Sequence, residues 1–481
     1  MMAAMAIPNK LWSRRGRRVR RAGAVLAAVS TLSLPSVGSF PSVGLPAPAA
    51  SASAPARQVE AARTSAASFP KTPAGAQAKW LVQAMAHLPV PLSQVRSHFD
   101  VQFLSQVPPA QLNVELGKWG PVTLLSIGTS QKVGLSALLQ TKTGTELTLD
   151  LLVDAHGLVR ALLFQPYTPT ATTWAAVDQK VHSVAPKVGL LVASVNGSSC
   201  QPVHSINATT PMPLGSAFKL YVLDALAEAI AKGKVSWVQR VPVTAGAKSL
   251  PAGGLQGYPN GTRLTVQAVA SKMISLSDNT AADMLIDLIG RKNVEAAVKG
   301  SGTADPALNV PFLKTREMFA LKLADWPSLA KRYLALPASK RLGFLRGTVD
   351  PIPLGQLRKA ASSWTSPRDV STLGWFASPM DICHLFGHLA SLAHQPKLAP
   401  LSSLLEINNG GLALDSRLWK SVWFKGGSEP GVLTLNYMAT TTSGHSYVVS
   451  VLAENPSHTI GPTATRTLIG AIQGAFQLAA R

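Results

Sequence analysis

Residues 213–219 read Pro-Leu-Gly-Ser-Ala-Phe-Lys and open an apolar helical pattern over residues 220–232, which stops at Gly233. A serine at the start of a helix is most often an N-terminal cap, and this explanation is sufficient for the serine taken alone. Ser216 and Lys219, however, are three residues apart and share one helix face, so the amine can reach the hydroxyl. A serine hydroxyl becomes a nucleophile when a base removes its proton, and a desolvated lysine can be that base.

Two further short motifs follow in the chain. Ser277-Asp278-Asn279 separates two apolar helical runs, and Lys425-Gly426-Gly427 ends an apolar β run before a strand rich in β-branched residues. Alone, the first could be a helix connection with capping residues and the second a turn. The ordered set of three, at intervals of roughly 60 and 150 residues, is far more specific than any one of them.

The three motifs resemble the S-x-x-K, S-D-N and K-T-G motifs of class A β-lactamases and penicillin-binding proteins, and the resemblance covers about residues 175–481. It implies a β-lactamase-like domain in which an antiparallel sheet is flanked by helices. It also implies that Ser216 is the acylated nucleophile and that Lys219 is its general base. Ser277 would relay a proton toward the leaving nitrogen or oxygen.

The same resemblance implies a set of binding groups. Asn279 would hydrogen-bond the substrate amide, and Lys425 would supply positive charge near the relay serine and a substrate carboxylate. The backbone N–H groups of Ser216 and Ser428 would form the oxyanion hole. Gly427 completes the third motif and belongs to the implied substrate-binding residues.

The sequence departs from the class A pattern in two places. Gly426 replaces the hydroxyl residue of K-T-G, which removes a donor for the substrate carboxylate. Residues 279–378 contain no E-x-x-L-N segment, the source of the deacylating glutamate in class A enzymes, and Glu317 is the nearest carboxylate in a comparable region. We therefore expect a poor β-lactamase. The region is also longer than in ordinary class A enzymes, and Trp326–Ala335 is predicted to form an added helix that lids or reshapes the cleft. Ser378 is predicted to begin the next helix.

The chain begins with the pattern of a secretory signal. A basic region ends at Arg21, an apolar run reaches about Leu34, and Ala-x-Ala sites follow within residues 50–54. We expect residues 1–54 to be a signal peptide of the Sec or twin-arginine type, so that the protein is secreted or envelope-associated. A basic arm for nucleic acid is the alternative, but no aromatic residue is interleaved among the arginines of residues 14–21.

The remaining chain divides into further segments. Residues 55–72 are predicted to be a disordered linker, and residues 73–166 a small α+β domain with helices packed on a curved sheet. A second linker at residues 166–173 leads to the larger domain, residues 174–481. This order resembles the two-domain β-lactamase-related proteins of actinobacteria, a group with a member in clavulanic acid clusters. The resemblance implies a cystatin-like or steroid-isomerase-like N-terminal fold and an esterase-like or weakly cephalosporin-directed activity.

Composition excludes several classes. The 481 residues are 46% apolar, which excludes a wholly disordered chain, and no apolar stretch is long enough for a polytopic membrane protein. The net charge of +22 includes seven basic residues in the first 55, so 22 − 7 = +15 remains after export. The remaining basic residues are scattered, so we expect no nucleic-acid partner. Cys200 and Cys383 either form one disulfide or stay as two buried thiols.

No cofactor or metal is expected. His384 and His388 have the spacing of a zinc pair but lack the adjacent glutamate, and the chain has no Gly-rich phosphate loop. The sequence thus predicts an exported serine hydrolase that acts on an ester or a strained, β-lactam-like amide. The alternatives are a non-hydrolytic penicillin-recognising or envelope-binding protein and a D-Ala-D-Ala-type peptidase. Cell-wall components are further candidate partners, and the oligomeric state is left open.

Overall fold

The computed structural model describes residues 68–130, 133–415 and 417–481. The predicted signal peptide, residues 1–54, and most of the linker predicted at residues 55–72 lie outside the described residues.

The first part of the described chain is a set of helices followed by an antiparallel meander. Its helices are α1 Pro73–Ala84, α2 Leu92–His98, α3 Val101–Gln106 and α4 Pro109–Gly117. Its strands are β1 Val122–Ser130, β2 Gly134–Thr141, β3 Glu146–Val153 and β4 Val159–Pro166, paired in that order. The predicted order of helices before a meander is confirmed.

Helix α1 provides the apolar cover for this meander. Thr72 caps its first turn by accepting a hydrogen bond from the N–H of Gly75, and a proline occupies its first position. Ala74, Ala78 and Leu81 recur at helical spacing and are fully buried. They pack on the inward-facing residues of β2 and β3, and this core is separate from those of the larger sheet.

The larger part of the chain is built on a five-stranded antiparallel sheet in the order β11-β12-β13-β5-β6. Its strands are β5 Lys187–Asn196, β6 Ser199–Ile206, β11 Trp419–Glu429, β12 Val432–Thr441 and β13 Ser446–Glu454. Two short ribbons accompany it, β7 Met212–Pro213 with β10 Phe376–Ala377 and β8 Arg240–Pro242 with β9 Arg263–Thr265.

Helices cover both faces of this sheet. They are α5 Trp174–His182, α6 Lys219–Ala231, α7 Val266–Ser275, α8 Asn279–Ile289, α9 Arg291–Gly300, α10 Thr315–Leu323, α11 Ser328–Leu334, α12 Ala338–Phe344, α13 Leu354–Ala361, α14 Pro379–Ala393, α15 Pro400–Glu406 and α16 Pro462–Ala479. The α+β class with antiparallel sheets is confirmed. No helix in the described ranges is long and apolar enough to span a membrane.

Alternation along β5 shows why two helical layers form. Leu191 and Ala193 enter the core shared with α6 and α14, whereas Leu190 and Val192 enter the core shared with α5 and α16. Both faces of the strand are therefore apolar, and each face needs its own helical cover.

Strand β6 was not predicted from the sequence. It is an edge strand with mostly exposed residues, and it contains Pro202 opposite an irregularity in its partner β5. A polar edge strand with a proline has no clear alternation, so its position follows only from pairing with β5.

The predicted interdomain linker at residues 166–173 lies against α16. Ala171 donates its N–H to the carbonyl oxygen of Gly470 at 3.0 Å, and a methyl group on Gly474 would lie 2.1 Å from the carbonyl oxygen of Ala171. The two glycines thus allow this segment to pack closely on the helix.

Candidate active site

A cavity with a volume of about 580 Å³ lies beside the edge strand β11. The structure places six of the predicted site residues in its wall, namely Ser216, Ser277, Asn279, Lys425, Gly427 and Ser428. Lys219 lies directly behind this wall and is fully buried. Residues from three distant parts of the sequence therefore converge on one site.

Ser216 is held in a tight turn rather than in the cap position of a helix. It lies in the 3₁₀ segment Gly215–Phe218, which runs directly into α6. Gly215 has a φ of +49°, in the left-handed region that glycine tolerates best. A side chain at Gly215 would also meet the amide nitrogen of Ser428, at 2.8 Å. The turn therefore presses Ser216, the predicted nucleophile, against β11.

The amine of Lys219 is the centre of the hydrogen-bond network. Its Nζ contacts Ser216 Oγ at 3.0 Å, Asn279 Oδ1 at 2.6 Å, and both the carbonyl oxygen and Oγ of Ser277, at 2.6 and 3.2 Å. Complete burial lowers the pKa of Lys219 well below its ordinary value, and the nearby charge of Lys425 lowers it further. The site thus favours an uncharged amine.

Ser277 lies between two lysines. Its Oγ accepts a hydrogen bond from Lys425 Nζ at 3.0 Å and also contacts Lys219 Nζ at 3.2 Å. Its φ of +54° is unusual for a residue with a side chain. Burial lowers the pKa of Lys425 to about 7. A proton can therefore pass between the two amines through one hydroxyl.

Asp278 fixes the loop that carries Ser277. One carboxylate oxygen accepts the N–H of Ala281 and so caps α8, and the other accepts the N–H groups of Gly254 and Leu255. The capping role considered for this motif and a position in the candidate site are thus both present, on neighbouring residues. The amide of Asn279 is oriented in turn by donating to the carbonyl oxygen of Leu250 at 3.0 Å.

The third motif is inside a strand. The sequence indicated that the β run ends at Lys425-Gly426-Gly427, whereas β11 continues to Glu429. The prediction was wrong because two glycines in succession usually mark a turn. Here Gly427 is needed for close packing, since a methyl group on it would lie 2.1 Å from the carbonyl oxygen of Leu214 and 2.6 Å from the amide nitrogen of Ser216.

Neighbouring strands hold β11 against the segment Gly215–Phe218, called the nucleophile turn after the predicted role of Ser216. Thr434 of β12 donates its hydroxyl to the carbonyl oxygen of Leu214 at 3.0 Å. Asn436 donates to the carbonyl oxygen of Lys425 at 3.1 Å and accepts from Ser450 of β13. All of these side chains are buried, so the polar network is rigidly placed. Sequence reasoning missed them because no local pattern marks a residue that acts across strands.

Glu317 has a structural position. Its carboxylate forms two contacts with the Arg291 guanidinium, at 2.6 and 3.0 Å, and accepts the N–H of Lys314 at the start of α10. It is not part of the cavity wall. Among the wall residues of the described chain, Glu429 is the one carboxylate, and both of its oxygens accept from the fully buried Lys322 at 2.8 Å.

The added segment after α10 does contribute to the cavity. The helix predicted over Trp326–Ala335 is observed as α11, and α12 and α13 follow it. Ala361, at the end of α13, and Trp364 line the cavity. Ser378 begins α14 with a capping box that it shares with Asp381.

Cys200 on β6 and Cys383 on α14 are joined in a disulfide. On the same helix, His388 Nδ1 lies 2.9 Å from Oδ1 of the buried Asp224, an ion-pair distance without the alignment of a hydrogen bond. His384 does not form a metal site with it, and the described residues contain no cluster of metal-ligating side chains.

Two protein-family models match parts of this chain. Residues 175–373 match the model of the β-lactamase enzyme family, and residues 69–159 match a family described as the N-terminal part of the ORF 12 gene product. The first match contains both the S-x-x-K and the S-D-N motif. Residues 175–373 thus belong to the β-lactamase enzyme family. This match supports a function of the serine hydrolase type, at the level of the penicillin-recognising superfamily.

Solved structures of this superfamily are similar to the larger part of the chain. A β-lactamase from Sphaerobacter thermophilus is 20% identical, with a TM-score of 0.44, over 64% of this chain and 98% of that one. The L158E mutant of PBP-A, an acyl-enzyme complex with penicillin G, is 16% identical, with a TM-score of 0.42, over 65% and 99%. A β-lactamase from Chitinophaga pinensis is 19% identical, with a TM-score of 0.42, over 64% and 98%. No curated protein matches the chain.

Proposed function

We propose that this superfamily member is an exported acyl hydrolase that forms an acyl-enzyme at Ser216 and acts on an ester or a strained, β-lactam-like amide. The observation that carries the proposal is the contact of 3.0 Å between Ser216 Oγ, which is partly exposed in the cavity wall, and Nζ of the fully buried Lys219. Burial favours the uncharged amine, so the base is ready to take the serine proton.

The contacts of Lys219 suit a neutral amine. Its two shortest contacts, at 2.6 Å, are to the carbonyl oxygen of Ser277 and to Asn279 Oδ1, which can only accept. These use the two N–H bonds of the neutral amine. The lone pair then faces the Ser216 hydroxyl, which donates its proton.

Acylation uses the side chains of Lys219, Ser216 and Ser277 one after another. Lys219 takes the proton of Ser216, and Oγ attacks the carbonyl carbon of the substrate. The backbone N–H groups of Ser216 and Ser428, brought together by Gly215 and Gly427, would hold the oxyanion. When the intermediate collapses, the leaving atom takes the Ser277 proton, and Lys219 replaces that proton across 3.2 Å. The net result is one proton moved from the nucleophile to the leaving group.

Deacylation distinguishes esters from β-lactams. The one carboxylate in the described cavity wall, Glu429, is engaged by Lys322, so no free carboxylate is available to activate water. After an ester reacts, its alcohol departs, and Lys219, neutral again, can activate a water in the vacated space. After a β-lactam reacts, the opened ring stays attached to the acyl group and fills that space. This contrast supports slow turnover of β-lactams.

Export is the second element of the proposal. Two observations support it, the signal-like pattern of residues 1–54 and the disulfide between Cys200 and Cys383. Disulfides persist mainly in oxidising compartments. The remaining positive charge would suit an envelope of anionic polymers.

The test uses the full mature chain and its Ser216→Ala variant. We expect phenyl acetate to be hydrolysed with Ser216-dependent release of phenol, and a fluorescent penicillin to label Ser216 with little release. Intact mass would show the adducts, and nitrocefin colour would measure β-lactam turnover. Ester turnover that survives Ser216→Ala would overturn the nucleophile assignment.

A non-hydrolytic penicillin-recognising protein is the second candidate, and the engaged Glu429 is the observation that favours it. It would be supported by a stable mass adduct with penicillin and no ester turnover. Release of D-alanine from a stem peptide would instead identify a D-Ala-D-Ala-type peptidase.

A further inference from the structure

The cavity extends beyond the catalytic side chains, across the edge of β11. Phe424, Leu433 and Leu435 line it, although they belong to the core on the other side of the sheet from the nucleophile turn. Thr465 of α16 lines it as well. β11 is the edge strand, so no further strand closes this path. Gly426 has no side chain to divide the space.

Two glycines leave room for the Phe424 ring at the place where the cavity crosses β11, which we call the crossing. A methyl group on Gly426 would lie 2.9 Å from Phe424 Cζ, and one on Gly410 would lie within 2.6 Å of the same ring. The ring also packs on Tyr437, with ring centroids 4.6 Å apart. Phe424 thus occupies the side of Gly426 where a threonine or serine side chain would lie.

Positive charge is scarce in this part of the cavity. Among the described wall residues, Lys425 is the only lysine or arginine, and its Nζ already donates to Ser277 Oγ and to the carbonyl oxygen of Gly426. The only other charged wall residue is Glu429. A substrate carboxylate beyond the leaving atom would therefore face apolar carbon and receive little compensation for its lost hydration.

The crossing lies next to the place where the leaving group of a substrate would be. The leaving atom receives its proton from Ser277, which touches Lys425, and Gly426 is the next residue along β11. Groups attached to the leaving atom on this side would lie over Gly426. An aryl or alkyl group there would bury its surface against Phe424 and Leu435.

We propose that the cavity selects substrates with an uncharged, apolar alcohol as leaving group, seated across Gly426 against Phe424 and Leu435. This inference rests on the proposed acyl hydrolase function and names its substrate class. The carboxylate-bearing leaving side of penicillins and of D-alanyl peptides is disfavoured by the same wall.

The test compares 3-acetoxybenzamide with 3-acetoxybenzoate, two esters that share the acyl group and differ in the charge of the leaving phenol. We expect the wild-type kcat/KM to be about tenfold higher for the amide, because the carboxylate is stranded on an apolar wall. Equal rates, or a preference for the carboxylate, would overturn the inference. Release of both phenols that persists in Ser216→Ala would instead count against the proposed function alone.

Two cationic variants probe the wall directly. Leu435→Arg should lower the amide-to-carboxylate ratio about tenfold, whereas its matched control, Leu435→Met, keeps the wall uncharged and should keep the ratio. Because an arginine at this buried position can prevent folding, Thr465→Lys on the partly exposed face of α16 serves as a second variant, with Thr465→Gln as control. An unchanged ratio in the folded cationic variants would contradict the proposal.

A binding measurement makes the result independent of turnover. Ser216→Ala cannot be acylated at residue 216, so calorimetry with the intact variant measures association of each ester alone. The amide should bind more tightly than the carboxylate even if neither ester is hydrolysed by the wild type. Tighter binding of the carboxylate would refute the inference whatever the outcome for catalysis.

Discussion

Lys219 Nζ donates a hydrogen bond of 2.6 Å to Asn279 Oδ1, at the first residue of α8. The partner of the buried amine is thus a neutral amide rather than a carboxylate. A carboxylate in this position would hold the lysine in its charged form, and a charged lysine cannot accept the serine proton. The identity of Asn279 is therefore relevant to the base as well as to substrate binding.

The variant Asn279→Asp tests this relationship. The new carboxylate should raise the pKa of Lys219, so hydrolysis of phenyl acetate at neutral pH should fall about 100-fold. The ascending limb of the pH profile of kcat/KM should move to higher pH for the same reason. The measurement is kcat/KM against pH. Asn293→Asp, outside the cavity, is the matched control and should keep the wild-type profile. Loss of activity without movement of the limb would show that Asn279 acts on substrate only.

The charge of Lys425 should limit activity at high pH. Burial lowers the pKa of Lys425 to about 7, so above neutrality it loses the charge that supports Ser277. We expect kcat/KM to rise as Lys219 loses its proton and to fall as Lys425 loses its own, with both limbs belonging to the coupled pair. Lys425→Arg keeps its charge throughout this range and should remove the descending limb.

The matched control for this prediction is Lys425→Met, which has no charge at any pH. It should give low activity without a descending limb. A descending limb that persists in Lys425→Arg would assign the titration to another group.

The pair formed by Lys322 and Glu429 should be important for stability. Lys322→Met would leave a buried carboxylate without a partner, and such a change typically costs about 3 kcal/mol of unfolding free energy. The double variant Lys322→Met with Glu429→Gln removes the stranded charge and should recover most of the loss. Urea unfolding at neutral pH would measure both. A single variant as stable as wild type would contradict the assignment.

The buried Asp224 should make stability depend on pH. Burial raises the pKa of Asp224 to about 6, and the adjacent Asp224 carboxylate raises the pKa of His388. Between the ordinary carboxyl pKa and about pH 6, the native state keeps a proton that the unfolded state releases, so stability falls as pH rises. The contribution of His388 is present below its ordinary pKa and is lost as pH rises through its raised pKa, in the same direction.

Thermal unfolding therefore should show a lower midpoint at about pH 8 than at about pH 5. Asp224→Asn should flatten this dependence. Glu228 and Lys232 face the same cluster from α6 and remain in place in the variant. Asp415→Asn, which alters an exposed ion pair, is the control, and a pH dependence that survives Asp224→Asn would assign the effect to other groups.

Local patterns in the sequence were sufficient for most of the fold. Runs rich in β-forming residues indicated β1 to β4 and the last three strands, and an apolar helical run indicated α6. Alternation could not indicate β6, because an edge strand exposes most of its side chains. It also could not show that Lys425-Gly426-Gly427 lies within a strand, since that depends on packing of Gly427 against the nucleophile turn.

Three short motifs were enough to predict roles for Ser216, Lys219 and Ser277, because each motif carries its chemistry within four residues. Their contacts were not available from spacing, since the segments are separated by roughly 60 and 150 residues and meet only in the folded state. The ion pair between Lys322 and Glu429 could not be predicted from the sequence for the same reason.

The sequence by itself determined the resemblance to the superfamily, most of the order of the elements and the prediction of Ser216 as nucleophile, because these depend on neighbours along the chain. Only the tertiary structure decided that Lys219 is buried among neutral partners, that Glu317 belongs to an ion pair with Arg291, and that the cavity crosses β11 at Gly426. The physical reason is that desolvation, ion pairing and cavity shape arise from groups that are distant in sequence and adjacent in space.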